Sequence, residues 1–117
     1  LMRSQKIQKR ASRAGFDWSS FDGYFGKIEE ELDELKMAIQ NKDQDNIEEE
    51  IGDLLMILTN LSRHLKVDAE TALDKSNRKF EKRFRYIEDE LKKVGNNVNE
   101  SSLEEMDKLW DEAKLIN

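Results

Sequence analysis

Two groups of acids in this chain have a spacing that could do chemistry: Glu30, Glu31 and Glu34, and then, after fifteen intervening residues, Glu50 and Asp53. In each group a glutamate and a second acid lie three residues apart, which puts both on one face of a helix. Glu31 and Glu34 sit beside Leu32 and Leu35, and Glu50 and Asp53 beside Ile51 and Leu54. Both pairs therefore border apolar stripes, where like charges repel unless a cation holds them. If the two helices pack antiparallel, four carboxylates converge, and that many hard oxygen ligands suit one or two Mg²⁺ or Mn²⁺ ions. Gly52, between two of these acids, costs ~1 kcal/mol relative to alanine inside a helix and suggests a neighbour or ligand that needs close approach. The opposing reading is a solvated acidic face, in a chain that is 39% charged. The segment from Lys75 to Lys93 is basic, and an acidic cluster facing a basic one suits a divalent cation together with a polyphosphate. Lys79 and Arg83, at i and i+4, share a helical face.

Five helices are expected to position these groups, with no convincing strand. The first runs from Arg3 to Ala14 and ends at Gly15. An aromatic loop or short turn follows over Phe16 to Gly26. The second helix covers Phe25 to Asn41, with Ile28, Leu32, Leu35 and Ile39 as its apolar stripe. The third starts from Asp45 as N-cap, with Glu48 completing a capping box, and continues to Leu65 along Ile47, Ile51, Leu54, Leu58, Leu61 and Leu65. Asp68 caps a long fourth helix through Val94, with Ala69, Ala72, Leu73, Phe80, Phe84, Ile87 and Leu91 inward, and Gly95 stops it. Ser101 and Ser102, each three residues before a glutamate, open a fifth helix that ends at Leu115. The expected fold class is all-α: an antiparallel helical bundle. Hydrophobic residues make up only 37% of the 117 residues. Even with the five glycines added, the apolar share stays below the ~45–50% of typical globular chains. Such a thin core could be completed by a second copy.

Composition narrows the function classes further. The absence of cysteine excludes disulfides, thiolate metal sites and thiol catalysis, and fits a reducing cytoplasm. A single histidine leaves oxygen donors as the basis of any metal site. The longest uncharged run, Leu54 to Ser62, is far shorter than the ~18 residues of a membrane span, and no secretory segment is visible at the first residues. A net charge of −6 argues against broad nucleic-acid binding. No GxxxxGK[ST] motif is present, so this is not a P-loop enzyme.

Glu30-Glu31-x-x-Glu34 followed by Glu50-x-x-Asp53 resembles the EExxE…ExxD signature of the MazG nucleoside triphosphate pyrophosphohydrolases, in the all-α NTP pyrophosphatase superfamily. Gln8-Lys9-Arg10-Ala11, Gly15-Phe16-Asp17-Trp18, Glu49-Glu50-Ile51-Gly52-Asp53-Leu54-Leu55, Lys75-x-Asn77-x-Lys79-Phe80-x-x-Arg83-Phe84 and Trp110-x-x-x-Lys114 are similar to the same pattern, so the resemblance covers nearly the whole chain. It is strongest to the C-terminal domain of two-domain members, and residues 1–117 are expected to be one such domain of a longer chain. The resemblance implies hydrolysis of (d)NTPs between the α and β phosphates, giving a monophosphate and pyrophosphate, in broad nucleotide-pool house-cleaning by a cytoplasmic homodimer. It implies Glu31, Glu34, Glu50 and Asp53 as magnesium ligands, with Glu30 and Glu34 in catalytic roles. Glu30 would orient or deprotonate the attacking water, or else face solvent. It further implies that Lys79 and Arg83 bind the triphosphate, that Lys75 and Asn77 belong to the same substrate-binding motif, with Asn77 in a second shell or in contact with the nucleotide, that Trp110 lies against the base and that Lys114 reaches the nucleotide.

Without the resemblance, Lys79 and Arg83 read as an exposed basic face and Trp110 as core beside Leu103 and Met106. Phe16 and Trp18 are expected to pack the aromatic loop or close the nucleotide pocket, His64 to pack or cap the end of its helix, and Met37 and Met56 to fill the core. Two rivals stand beside this reading. One is an acidic helical protein-interaction module with no catalysis, and the other is a dUTPase-like or dCTP-directed pyrophosphatase with the same metal motif.

Overall fold

The computed structural model describes residues 1–15, 17 and 21–116. Five α-helices account for the described secondary structure: α1 Met2–Arg13, α2 Phe21–Gln40, α3 Gln44–His64, α4 Ala69–Lys93 and α5 Leu103–Ile116. The all-α expectation is met. The chain divides into two compact units, Leu1–Thr71 and Ala72–Asn117.

In the first unit α2 and α3 form a hairpin, with α1 packed on α3. The connection over residues 41–43 is too short for anything but antiparallel neighbours. It closes with Lys42 in the left-handed region at φ 56°, while the Asp43 amide donates to the Ala38 carbonyl at 3.2 Å. Asp43, not Asp45, is the N-cap of α3, its carboxylate accepting from the Asn46 amide at 3.3 Å. Asp45 falls in the first helical turn, where its charge still complements the helix dipole.

α2 begins four residues earlier than the aromatic pattern suggested, because Tyr24 belongs to its inner face and is fully buried. That face runs Tyr24, Ile28, Glu31, Leu35 and Ala38, with Ile28 and Leu35 half-buried. The facing stripe of α3 is Ile47, Glu50, Leu54, Ile57 and Leu61. Both stripes are rotated from those expected. Leu32 and Ile39 on α2, Ile51 and Leu58 on α3, and Leu65 at the C-cap of α3 are exposed, as are Met37 and Met56, which fill no core here. The expected stripes contained only apolar residues. The observed ones admit a glutamate each, and the helix turns accordingly.

In the second unit the core is Ile87, Leu91 and Ala113, all 3% exposed or less. Phe80 and Leu73, expected inward, are exposed, as is Ala72. Asp68 caps α4 as expected, its carboxylate accepting from the Thr71 amide at 3.2 Å and hydroxyl at 2.6 Å. Those bonds from Thr71 hold its carboxyl below the usual range. Gly95, at φ 74°, closes the helix in a conformation that favours glycine. At α5 Ser102 is the cap, its Oγ accepting from the Glu105 amide at 3.1 Å. Ser101 instead donates its hydroxyl to the Asn97 carbonyl at 2.8 Å.

Candidate metal and triphosphate site

The acidic groups meet where α2 and α3 face each other. One carboxylate oxygen from each of Glu31, Glu50 and Asp53 lies within 4.8 Å of the other two, and the same holds for Glu30, Glu31 and Glu34. Glu31 belongs to both sets, so the five acids form one continuous cluster. Glu31 is 4% exposed and Glu50 8% exposed, whereas Glu30 and Asp53 are open to solvent. A glutamate is almost never this buried without a partner. These two were expected to border the apolar stripes; they are part of them.

Burial sets their proton chemistry. Glu50 is pushed up to about 8, chiefly because a protonated Glu50 can donate to the facing Glu31 carboxylate, with burial and the charge of Glu34 adding to the effect. Glu31 moves the other way, lowered by that interaction with Glu50 and by Lys27. Lys27 lies 3.3 Å from both Glu30 and Glu31, and these contacts raise its own pKa. Even so, Oε2 of Glu31 and Oε2 of Glu50 are buried with no hydrogen-bond partner. Two orphaned acceptors, in an all-oxygen donor set with surplus negative charge, fit a hard divalent cation. Gly52 meets no neighbour within 4 Å where a Cβ would stand. The close approach expected there does not come from this chain. It lines a shallow groove along α3 with Glu49 and Asp53.

In the second unit Arg83 stands over the Trp110 ring, its guanidinium carbon 5.2 Å from the ring centroid. Phe80 packs on both Phe84 and Trp110, with centroids 6.1 and 5.4 Å apart. Trp110 is thus half-buried in an aromatic cluster that holds Arg83 by a cation–π contact. Arg83 Nε is buried and unpartnered. Lys75, Asn77 and Lys79 lie on the exposed part of α4, and Lys114 is exposed on α5, 3.9 Å from Asp111.

The profile of the MazG nucleotide pyrophosphohydrolase domain matches residues 20–88, a stretch that contains every acid of the cluster together with Lys79 and Arg83. This chain belongs to the MazG family. It is 47% identical over 114 residues to the nucleoside triphosphate pyrophosphohydrolase/pyrophosphatase MazG of Thermotoga maritima, covering 97% of this chain and 44% of that protein. It is 44% identical over 116 residues to the nucleoside triphosphate pyrophosphohydrolase of Escherichia coli, with the same coverage. The chain therefore spans less than half the length of these curated relatives. The crystal structure of a MazG-related protein from Thermotoga maritima superposes with a TM-score of 0.67 at 27% identity, covering 98% of this chain and 99% of that one. The curated relatives are named nucleoside triphosphate pyrophosphohydrolases, and the acidic cluster of this MazG domain lies at the α2–α3 interface.

Sequence reasoning missed two polar residues of this MazG domain, although both lie in segments that resemble the family. Asp17 accepts from Arg63 Nη2 at 2.7 Å and pairs with His64 Nε2 at 2.8 Å, while the Tyr24 hydroxyl donates to it at 3.3 Å. These bonds tie residue 17 to the end of α3 and to Tyr24 of α2. Partial burial alone would raise the Asp17 carboxyl, but the bonds to His64 and Arg63 bring it down to about 2. Burial and the nearby Asp17 charge push the Tyr24 hydroxyl up to about 12. His64, expected to pack at its helix end, does so edge-on to Tyr24 at 5.0 Å. Gln8 donates from Nε2 to the Met56 carbonyl at 2.6 Å and links α1 to α3. Phe16 and Trp18 lie outside the described residues.

Proposed function

We propose that this domain hydrolyses nucleoside triphosphates between the α and β phosphates, consuming one water and releasing a nucleoside monophosphate and pyrophosphate. The observation that carries this reading is the pair of buried glutamates, Glu31 and Glu50, which share one carboxylate cluster across the α2–α3 hairpin and each keep an oxygen with no hydrogen-bond partner. Glu31, Glu34, Glu50 and Asp53 would hold Mg²⁺ or Mn²⁺. A bound cation supplies positive charge to the phosphate oxygens and acidifies water. Glu30, exposed and paired with Lys27, would orient the attacking water, and Glu34 would join it in taking up the proton.

Lys75, Asn77, Lys79, Arg83 and Lys114 supply the positive and polar groups for the triphosphate. The guanidinium of Arg83 suits bidentate contact with phosphate oxygens. Trp110, which carries Arg83 over its ring, would lie against the base. Positioning and charge supply the catalysis, so little covalent chemistry falls to the protein itself. The exposed apolar residues Leu32 and Ile39 on α2, and Ile51, Leu55 and Leu58 on α3, support a homodimer in which a second copy covers the outer face of the hairpin. The domain is read as one part of a longer chain acting on a broad set of nucleotides in the cytoplasm; among the described residues, no helix is long and apolar enough to cross a membrane.

The test is a ³¹P NMR time course with ATP and Mg²⁺. AMP and pyrophosphate are expected, and their formation should stop with EDTA. ADP with orthophosphate would overturn the proposed bond cleavage. A folded chain that turns over no nucleotide, in the presence of Mg²⁺ or Mn²⁺, would favour the interaction module.

A further inference from the structure

The net charge of −6 is unevenly spread along the chain, and α1 carries the opposite sign. Arg3, Lys6, Lys9, Arg10 and Arg13 give this helix five cations, and it contains no acid. At 3.6 residues per turn all five fall within an arc of about 120°. Ser4, Gln5, Gln8, Ala11 and Ser12, all half-buried, occupy the opposite arc, on the side by which α1 packs on α3. Arg3, Lys6, Arg10 and Arg13 form a straight row about 15 Å long, with Lys9 beside it.

Each of the five cations is exposed. Among the described residues none of them forms an ion pair, whereas Lys27, Arg63, Arg78 and Lys93 have each found a carboxylate. The arrangement works against the helix itself. Each cation stands three or four residues from another, where like charges repel, and Arg3 lies in the first turn, at the positive end of the helix dipole. Lys9 and Arg10 also belong to the segment Gln8-Lys9-Arg10-Ala11, for which the proposed hydrolysis has no use.

A row of this kind fits a row of negative charges. A protein partner would bury an apolar centre, but the outward side of α1 offers only Met2 and Ile7, one on either margin of the row. A lipid surface is held by apolar side chains inserted along one side of a basic helix, and these two stand apart. A nucleic-acid backbone asks only for positive charge at intervals. α1 has no aromatic residue on which an unstacked base could lie. Its neutral polar side chains, the kind that reach a base edge or a 2′-hydroxyl, lie on the packed side.

We propose that the basic face of α1 binds duplex DNA through its phosphates, without reading sequence. The contact is weak and salt-dependent, because the acidic remainder of the chain repels the same backbone. The test is fluorescence anisotropy of a short labelled DNA duplex titrated with the protein in EDTA. No metal at the carboxylate cluster can then bridge to phosphate, and the outcome is independent of hydrolysis. At low salt, saturable binding with Kd below about 10⁻⁴ M is expected, and log Kd should rise with log salt with a slope of about 4, as for four or five phosphate contacts. The double variant Lys6→Gln, Arg10→Gln, at exposed positions where glutamine keeps the helix, should lower that slope by about two. The double variant Arg78→Gln, Lys82→Gln on the exposed part of α4 should leave it unchanged. A slope unchanged in the α1 variant, or lowered equally in both, would overturn the proposal. So would tighter binding to an RNA duplex of the same sequence. Absence of saturable binding at low salt would also overturn it and leave the basic face to an acidic protein surface.

Discussion

Glu50 shows how one side chain can couple stability, pH and cation binding. Its carboxyl stands at about 8 in the fold against an ordinary 4.5, so the folded protein holds an extra proton between those values. The stability this gives is fully present below about 4.5 and is lost as pH rises through about 8. Glu31 has the opposite sign, lowered in the fold, so its contribution is present above its ordinary value and lost in acid. The groups facing this pair are Glu34, Asp53 and Lys27. The metal-free melting temperature should therefore fall between about pH 5.5 and pH 8.5. Glu50→Gln, which keeps a donor toward Glu31 but cannot ionise, should flatten that slope while leaving helical circular dichroism intact. An equally steep slope in Glu50→Gln would assign the pH dependence elsewhere. The acids were visible in the sequence, but their burial was not, because a glutamate beside an apolar stripe reads as the edge of that stripe.

At the scale of elements, the number and type of helices followed from capping residues and apolar periodicity, while their rotation about their own axes did not. Ile51 and Leu58 satisfy a helical stripe as well as Glu50, Leu54 and Ile57 do, and only the facing helix decides which set turns inward. The start of α2 was displaced for a related reason: Phe21 and Tyr24 looked like loop aromatics until Tyr24 found His64 and Asp17. The Asp17 hub carries a prediction at this scale. Asp17→Ala should cost about 1.5–3 kcal/mol, the range for hydrogen bonds involving charged groups, seen as a lower urea midpoint at neutral pH. Its carboxyl lies at about 2 in the fold, below its ordinary 3.8, so the stability it gives is present above that value and lost as pH falls toward 2. The difference between wild type and variant should therefore shrink in strong acid. A midpoint unchanged at neutral pH would mean the hub is a surface contact without weight.

For the whole molecule, the thin core read from composition meets the apolar residues left outside on the α2–α3 hairpin. Ile51, Leu55 and Leu58, at 45%, 51% and 48% exposure, form one outward apolar stripe, the kind of surface that the proposed second copy would cover. Analytical ultracentrifugation should give twice the chain mass, and Leu58→Glu should shift it to the monomer with helicity retained. A wild-type monomer at high micromolar concentration would leave that face to a different partner. The most direct test of the carboxylate centre is an electron paramagnetic resonance titration with Mn²⁺ on wild-type protein and Glu50→Gln at one pH. The free Mn²⁺ signal should disappear as the wild type binds the ion, and binding to Glu50→Gln should be at least tenfold weaker because a ligand is lost. A free-ion signal that persists in the wild type, or equal binding by both proteins, would contradict a cation centre at Glu31, Glu34, Glu50 and Asp53.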